Sequence, residues 1–328
     1  MMLLPSRFRF RLDGRRPLTR LSIALLLLFG CALAAAAVRT NGFDLTGSLV
    51  PAAEIHPGGP VRDGIPSIDR PRFVGPTAAD FLRGGDEVLG LQVGNEARAY
   101  PIRILNWHEI VNDEIGGQQV AVTFCPLCGT GVAFVAEDRR GRPLTFGVSG
   151  LLYNSDVLLY DRQSESLWSQ IMKQAISGPR RGERLRARPL THTTWHAWRR
   201  AHPETLVLST ETGFRRDYSQ LPYAGYETEH GLYFPVSARS NRYHPKERVL
   251  GLRVDTEYKA YPFAELSRTT GEVRDRIGGE EILVRYDRAA NSASAFSADG
   301  RHQLPAMTAF WFAWYAFHPE TGVFVAPR

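Results

Sequence analysis

From Glu87 onward the chain is built of short apolar runs that alternate with polar residues and stop at Gly, Pro, Asn or Asp. VLGLQV at 88–93, the turn Gly94-Asn95 and ARAYPI at 97–102 describe a β-hairpin. Val120, Val122 and Phe124 keep the same period of two. The run Cys125-Pro126-Leu127-Cys128-Gly129 then breaks it with turn-forming residues, and Val132 to Val135 reads as the returning strand. A helical period is rarer: Trp195 and Trp198, three apart, predict a helix that ends near His202-Pro203-Glu204-Thr205.

The pattern repeats. Val88-Leu89-Gly90-Leu91 recurs as Val249-Leu250-Gly251-Leu252, Ala99-Tyr100-Pro101 as Ala260-Tyr261-Pro262, and Ile115-Gly116-Gly117 as Ile277-Gly278-Gly279. Trp195-His196-Ala197-Trp198 before HPET is matched by Trp311-Phe312-Ala313-Trp314 before a second HPET at 318–321. The expected fold is therefore α+β, mainly antiparallel, with two pseudo-symmetric repeats that each carry a helix near the C-terminal end. The boundaries read as a leader at 1–38, an extended Pro/Gly-rich arm at 39–86, a first repeat at 87–209, a linker and extended segment at 210–247, and a second repeat at 248–328. An apolar content of 43% with 21 prolines and 30 glycines suits such a strand-rich chain with a real core.

Charge changes the picture only at the N-terminus. Residues 1–20 hold six arginines and one aspartate, and residues 21–38 hold no charge, which is the plan of an export signal or an uncleaved membrane anchor. Ala35-Ala36-Ala37 offers a cleavage site. Those residues contribute five of the formal +6, so the remainder is near +1 and carries no basic stripe with interleaved aromatics; nucleic acid is excluded as a partner. The expected location is extracytoplasmic, in the periplasm or cell envelope, secreted or anchored through residues 21–38.

The soft ligands are Cys125 and Cys128, since the third cysteine, Cys31, lies in the leader. A site of four cysteines from one chain is thereby excluded. The duplication acts as an internal control: Cys125 aligns with Asp287, Cys128 with Ala290, and Asn106-Trp107-His108-Glu109 with Ser267-Arg268-Thr269-Thr270. Side chains missing from one copy are not required by the fold. His202 and His318 occur in both and read as helix-end residues. Gly147 to Gln170 occurs only with the first copy and brings Asn154, Asp156 and Trp168, where Asn154-Ser155-Asp156 reads as a hairpin turn or as site lining.

NWHEIVND at 106–113, TFCPLCGTGVAF at 123–134, YNSDVLLYDR at 153–162 and LWSQ at 167–170 closely resemble a prokaryotic extracytoplasmic domain family without an established function. Some of its members are described as candidate selenoproteins. That resemblance implies a reactive sulfur at the position of Cys125 or Cys128.

Three functions fit these residues. In a thiol-redox protein Cys125 attacks, Cys128 resolves, and His108, oriented by Glu109, activates the thiol, with Trp107, Asn154, Asp156 and Trp168 lining the site. In a soft-metal protein Cys125, Cys128 and His108 hold copper or zinc. In a binding module the two cysteines form a structural disulfide. The first two readings call for a redox or metal-donor partner in the envelope.

Overall fold

The computed structural model describes residues 38–327. The leader, Cys31 and the cleavage site fall outside the described residues. Among those that are described, no helix is long and apolar enough to cross a membrane.

Strand accounts for 40% and helix for 11% of the described residues, arranged as a five-bladed β-propeller. The α+β class and the pair of helix-bearing halves are thus overturned. The first blade is built on Glu87–Val93 and Glu96–Pro101, flanked by Thr191–Thr194 and Leu206–Leu208, with Phe73–Val74 of the arm at its edge. Ile110–Ile115, Gln118–Cys125 and Thr130–Val135 make the second, with Ala187–Arg188 on its edge. The third contains Phe146–Tyr153, Asp156–Asp161, Leu167–Ser169 and Gln174–Ser177, and takes Ile55–Pro57 from the arm. Arg248–Val254, Glu257–Pro262, Met307–Phe310 and Gly322–Val323 form the fourth, and Glu272–Ile277, Glu280–Asp287 and Ser292–Ser297 the fifth.

Each duplicated stretch makes two sheets, not one α+β unit: first and second blades on one side, fourth and fifth on the other. The unmatched stretch around Gly147–Gln170 is a complete sheet of its own, which makes the number odd. Helices serve only as short covers of four to seven residues, α1 (Ile102–His108), α2 (Trp195–Ala201), α3 (Phe263–Leu266) and α4 (Trp311–Phe317). A sheet with one solvated face can bury the other against such short pieces.

One packing device recurs in the first and fourth blades. A Cβ added at Gly90 would lie 2.2 Å from the Trp198 ring, and one at Gly251 would lie 2.2 Å from that of Trp314. Each indole N–H then donates to a threonine at the end of HPET, Thr205 or Thr321, at 2.9 Å. Only glycine lets the indole lie flat on the strand backbone. The ring of blades is tied shut where Ser292 Oγ of the fifth donates to His192 O of the first, at 2.7 Å.

Candidate metal or thiol site

The second blade turns at the cysteines. Cys125 pairs with Thr130 across the hairpin, and the Cys128 amide donates to Cys125 O at 3.2 Å, closing a tight turn. Gly129 has a φ of +59°, and a Cβ there would strike the Phe310 ring at 2.8 Å. The Phe310 amide also donates to Cys128 O at 2.8 Å, so the fourth blade seats the knuckle. Both cysteines are buried free thiols.

The third blade supplies the facing wall. Tyr153 pairs with Asp156 across a two-residue turn in which Asn154 and Ser155 have φ of +52° and +63°. Two left-handed residues make a type I′ turn, whose twist matches the strands it joins. That turn points Ser155 O at the knuckle, 3.8 Å from Cys125 Sγ and 3.3 Å from Cys128 Sγ. Asp156 comes next. Its carboxylate and the two sulfurs all lie within 4.8 Å of one another.

Asp156 is wholly buried. Its Oδ2 accepts from Ser169 Oγ at 3.3 Å and the Ile171 amide at 3.1 Å, while Oδ1 has no partner. Burial raises its pKa to about 7 despite those donors. Glu109 sits at the end of α1 with a φ of +57°, and its amide and carbonyl are both used, to Leu105 O and from the Phe124 amide. Burial, reinforced by the charge of Asp156, lifts its carboxyl to about 8. The Cys128 thiol is pushed well up by burial, by its Cys125 neighbour and by the two carboxylates. Tyr223 and Tyr226 are raised as well, by burial first and then by the negative charge of the same groups. The Tyr226 hydroxyl has no partner. Lys246 stands over the Tyr226 ring at 4.0 Å, but its ammonium is committed to Glu229 O and Gly231 O at 2.7 and 2.6 Å. The site therefore gathers two buried carboxyls around two thiols, with the Lys246 ammonium set apart behind the Tyr226 ring.

The tyrosines belong to the segment expected to be a linker. Residues 210–247 cross the site as a cover with one short helical turn, Tyr226–Thr228. Ser155 Oγ donates to Phe234 O at 2.8 Å and the Ser237 amide to Asn154 Oδ1 at 2.7 Å, pinning the cover to the turn of the third blade. An irregular stretch of this length inside a compact domain is uncommon and usually functional.

The other expected site residues are placed differently. His108 is fully buried, and its Nδ1 and Nε2 each lie 2.7 Å from an oxygen, Pro66 O and Tyr218 Oη respectively. A carbonyl can only accept, so Nδ1 carries a proton, and in the neutral ring Nε2 accepts from Tyr218. Burial, helped by the charge of Arg216, lowers the His108 pKa and favours the neutral ring, although the contact with Pro66 O works the other way. It is not a member of the close set around the sulfurs. Trp107 is half-exposed and donates to Gln220 O of the cover at 3.3 Å. Trp168 shares the apolar cluster of the cysteines but spends its N–H on Asp161 at 2.9 Å. Gln170 ties the third blade to the second, donating to Thr123 Oγ1 at 2.8 Å and Thr130 O at 3.3 Å. Tyr223 and Tyr226 escaped the sequence reading. Their signal was the density of tyrosines at 218–233 in a stretch with no period.

Residues 62–321 match the model of a family described as a protein of unknown function, DUF3179. The chain belongs to that family. No curated protein and no solved structure matches it. The family match runs through the knuckle, the turn of the third blade and the cover, so the whole site lies inside the shared domain.

Proposed function

We propose that the protein binds a thiophilic divalent cation, zinc foremost, through Cys125, Cys128 and Asp156, with Glu109 or a water completing the shell. The observation that carries this reading is the convergence, in a buried place, of two free thiols and a carboxylate whose Oδ1 is unpartnered. Burying several acids together is unfavourable unless they stay protonated or meet a cation, and a dication replaces their protons with one strong charge. The spacing suits it. Zinc at about 2.3 Å from sulfur holds two thiolates about 3.8 Å apart, so ligand atoms within 4.8 Å contract by about 1 Å or less. A carboxylate as third ligand favours zinc over copper(I), which prefers an all-soft shell. Three protein ligands leave a position open, and the buried Glu109 carboxyl, electrostatically linked to Asp156 and Cys128, is suited to pass a proton to or from a group there when it is not itself a ligand.

A second reading rests on both sulfurs facing one carbonyl, at 3.3 and 3.8 Å: a dithiol couple in which Asp156, rather than His108, accepts the thiol proton. Metal analysis on anaerobically purified protein separates the two. About one zinc per chain, and a thiolate charge-transfer band after cobalt substitution that is lost in Cys125→Ser, support the metal site. Protein that takes up neither metal yet cycles between dithiol and disulfide refutes it and supports the couple. On the pattern of residues 1–38 we also place the protein in the cell envelope; intact-mass analysis of the exported form tests this, and retention of a full-length fusion in the cytoplasm overturns it.

A further inference from the structure

Between the third and fourth blades lies a cavity of about 250 Å³ lined by Lys173, Arg184 and Arg253, with Tyr258, Trp314 and His318 among its aromatic walls and no acidic residue. None of the three cations has a carboxylate within 4.0 Å among the described residues, in contrast to the half-buried Arg98, Arg180 and Arg248, which are paired. Arg253 spends one N–H on a backbone carbonyl, Asp255 O, and its guanidinium lies 5.5 Å from the centre of the Tyr258 ring. Behind that ring His318 stacks at 3.9 Å and 19°, against Trp314 at 4.4 Å.

The fold does not ask for this arrangement. The first blade carries the same Gly90, Trp198 and His202 framework, with Gln92 paired to Ala97 where the fourth has Arg253 paired to Tyr258 in the same register. Glycine, tryptophan and histidine recur; the cation and its aromatic partner do not. Lys173 comes from the third blade, which has no counterpart at all. Its backbone sits at φ +57°, and its amide is held by Ser169 O at 3.0 Å, which fixes the side chain's point of departure.

We propose that this cavity binds a compact multiply charged oxyanion, phosphoryl or carboxylate in kind, clasped by Lys173, Arg184 and Arg253. Arg184 and Arg253 are exposed at the mouth and Lys173 is half-buried behind them; the three converge with free N–H groups and no internal counter-charge, and guanidinium is matched to the planar or tetrahedral oxygens of such groups. The chemistry of the empty pocket agrees. Burial and the charges of Arg253 and Arg184 depress Lys173 to about 8, and burial with the charges of Lys173 and Arg253 holds His318 down to about 3, so the imidazole stays neutral.

The test uses the full chain and two probes, inorganic pyrophosphate and citrate, titrated by calorimetry against chloride at equal ionic strength. Saturable binding of at least one probe is expected, pyrophosphate alone marking a phosphoryl site and citrate alone a carboxylate site. Arg253→Gln, which installs the residue of the first blade, and Lys173→Gln should each weaken it roughly tenfold or more, the effect of losing one charge-assisted contact. Near pH 8.5, above the pKa of the free lysine, binding should draw a proton onto Lys173, seen as a buffer-dependent heat that vanishes in Lys173→Gln. Thermal unfolding without probe should show both variants as stable as the parent or more so, since like charges are removed. Neither probe saturating, or both variants binding as the parent does, overturns the proposal.

Discussion

Replacing Asp156 by asparagine tests whether the site holds a buried protonated acid when no metal is present. In the folded chain burial moves this carboxyl from 3.8 to about 7, whereas in the unfolded chain it ionises at its ordinary value. Between those limits the native state binds a proton that the unfolded state has released. Stability must then fall as pH rises, by about 1.36 kcal/mol for each pH unit and each such proton. From about pH 5.5 to 7 the contribution of Asp156 is a loss of roughly 2 kcal/mol, a substantial fraction of the 5–15 kcal/mol typical of a domain. Glu109, raised from 4.5 to about 8, acts in the same direction over the same window. His108, His202 and His318 oppose it, because each has a lowered pKa and is charged only in the unfolded chain below about 6.5. Comparing wild type with Asp156→Asn at each pH cancels the histidines.

The assay is urea unfolding with chelator and reductant present, at about pH 5.5, 7 and 8. Asp156→Asn should gain on wild type by about 2 kcal/mol between the first two and hold that gain at the third. Adding zinc should reverse the order at the highest pH, since only wild type keeps the ligand and is stabilised by mass action. Parallel pH profiles for the two proteins in chelator would refute the buried-acid reasoning, and with it the electrostatic argument for a cation.

Three other outcomes are expected. Gly90→Ala and Gly251→Ala each press a methyl into an indole ring, and each should destabilise by roughly 3 kcal/mol in urea unfolding; equal and small effects would show that the tryptophans can retreat. His108→Ala leaves Pro66 O and the Tyr218 hydroxyl without their partner, so stability should drop by about 2 kcal/mol while zinc stoichiometry is kept; loss of zinc in a folded variant would restore His108 to the site. Zinc should slow hydrogen exchange in residues 218–237, the cover above the ligands, more than in the fifth blade, and uniform protection would detach the cover from metal binding.

What could be read in advance divides along a physical line. Period-two alternation is local, so the hairpins at 88–102 and 120–135 were legible, as was the helix through Trp195 and Trp198. How sheets assemble is not local. The same strands and short helices read as two α+β halves until Gly147–Gln170 is seen to belong to a sheet of its own, which converts a pair into a ring of five. The site divides in the same way. Two cysteines around a turn announce themselves by residue type, but Asp156 becomes a ligand candidate only because the type I′ turn of one blade docks on the knuckle of another. His108 illustrates the converse. Its absence from the second copy showed that the fold does without it there, yet its two partners, Pro66 and Tyr218, lie in the arm and the cover, stretches with no period to reveal where they run.

The repeated blades also argue that the cysteines serve chemistry rather than the turn. At the position of Cys125 the fifth blade has Asp287, whose Oδ1 accepts from the amides of Ala289 and Ala290 at 2.9 and 3.1 Å and so caps the same hairpin with an ordinary Asx contact. The position of Cys128 is Ala290, and that of Glu109 is Gly271, whose carbonyl accepts from the Tyr286 amide as that of Glu109 does from Phe124, both at 2.7 Å. A turn of this geometry therefore forms with an oxygen cap and a methyl, both commoner devices than a pair of buried thiols. In the second blade the turn is closed by the Cys128 amide to Cys125 carbonyl bond at 3.2 Å and by the Thr130 hydroxyl on Cys128 O at 3.1 Å, and the two cysteine side chains are left free to face Ser155 and Asp156. The same comparison applies to Arg253 and Tyr258, for which the first blade makes do with Gln92 and Ala97. Both proposed sites are thus assembled from side chains that the architecture can replace, gathered where the third blade, which has no twin, meets a neighbour on either side.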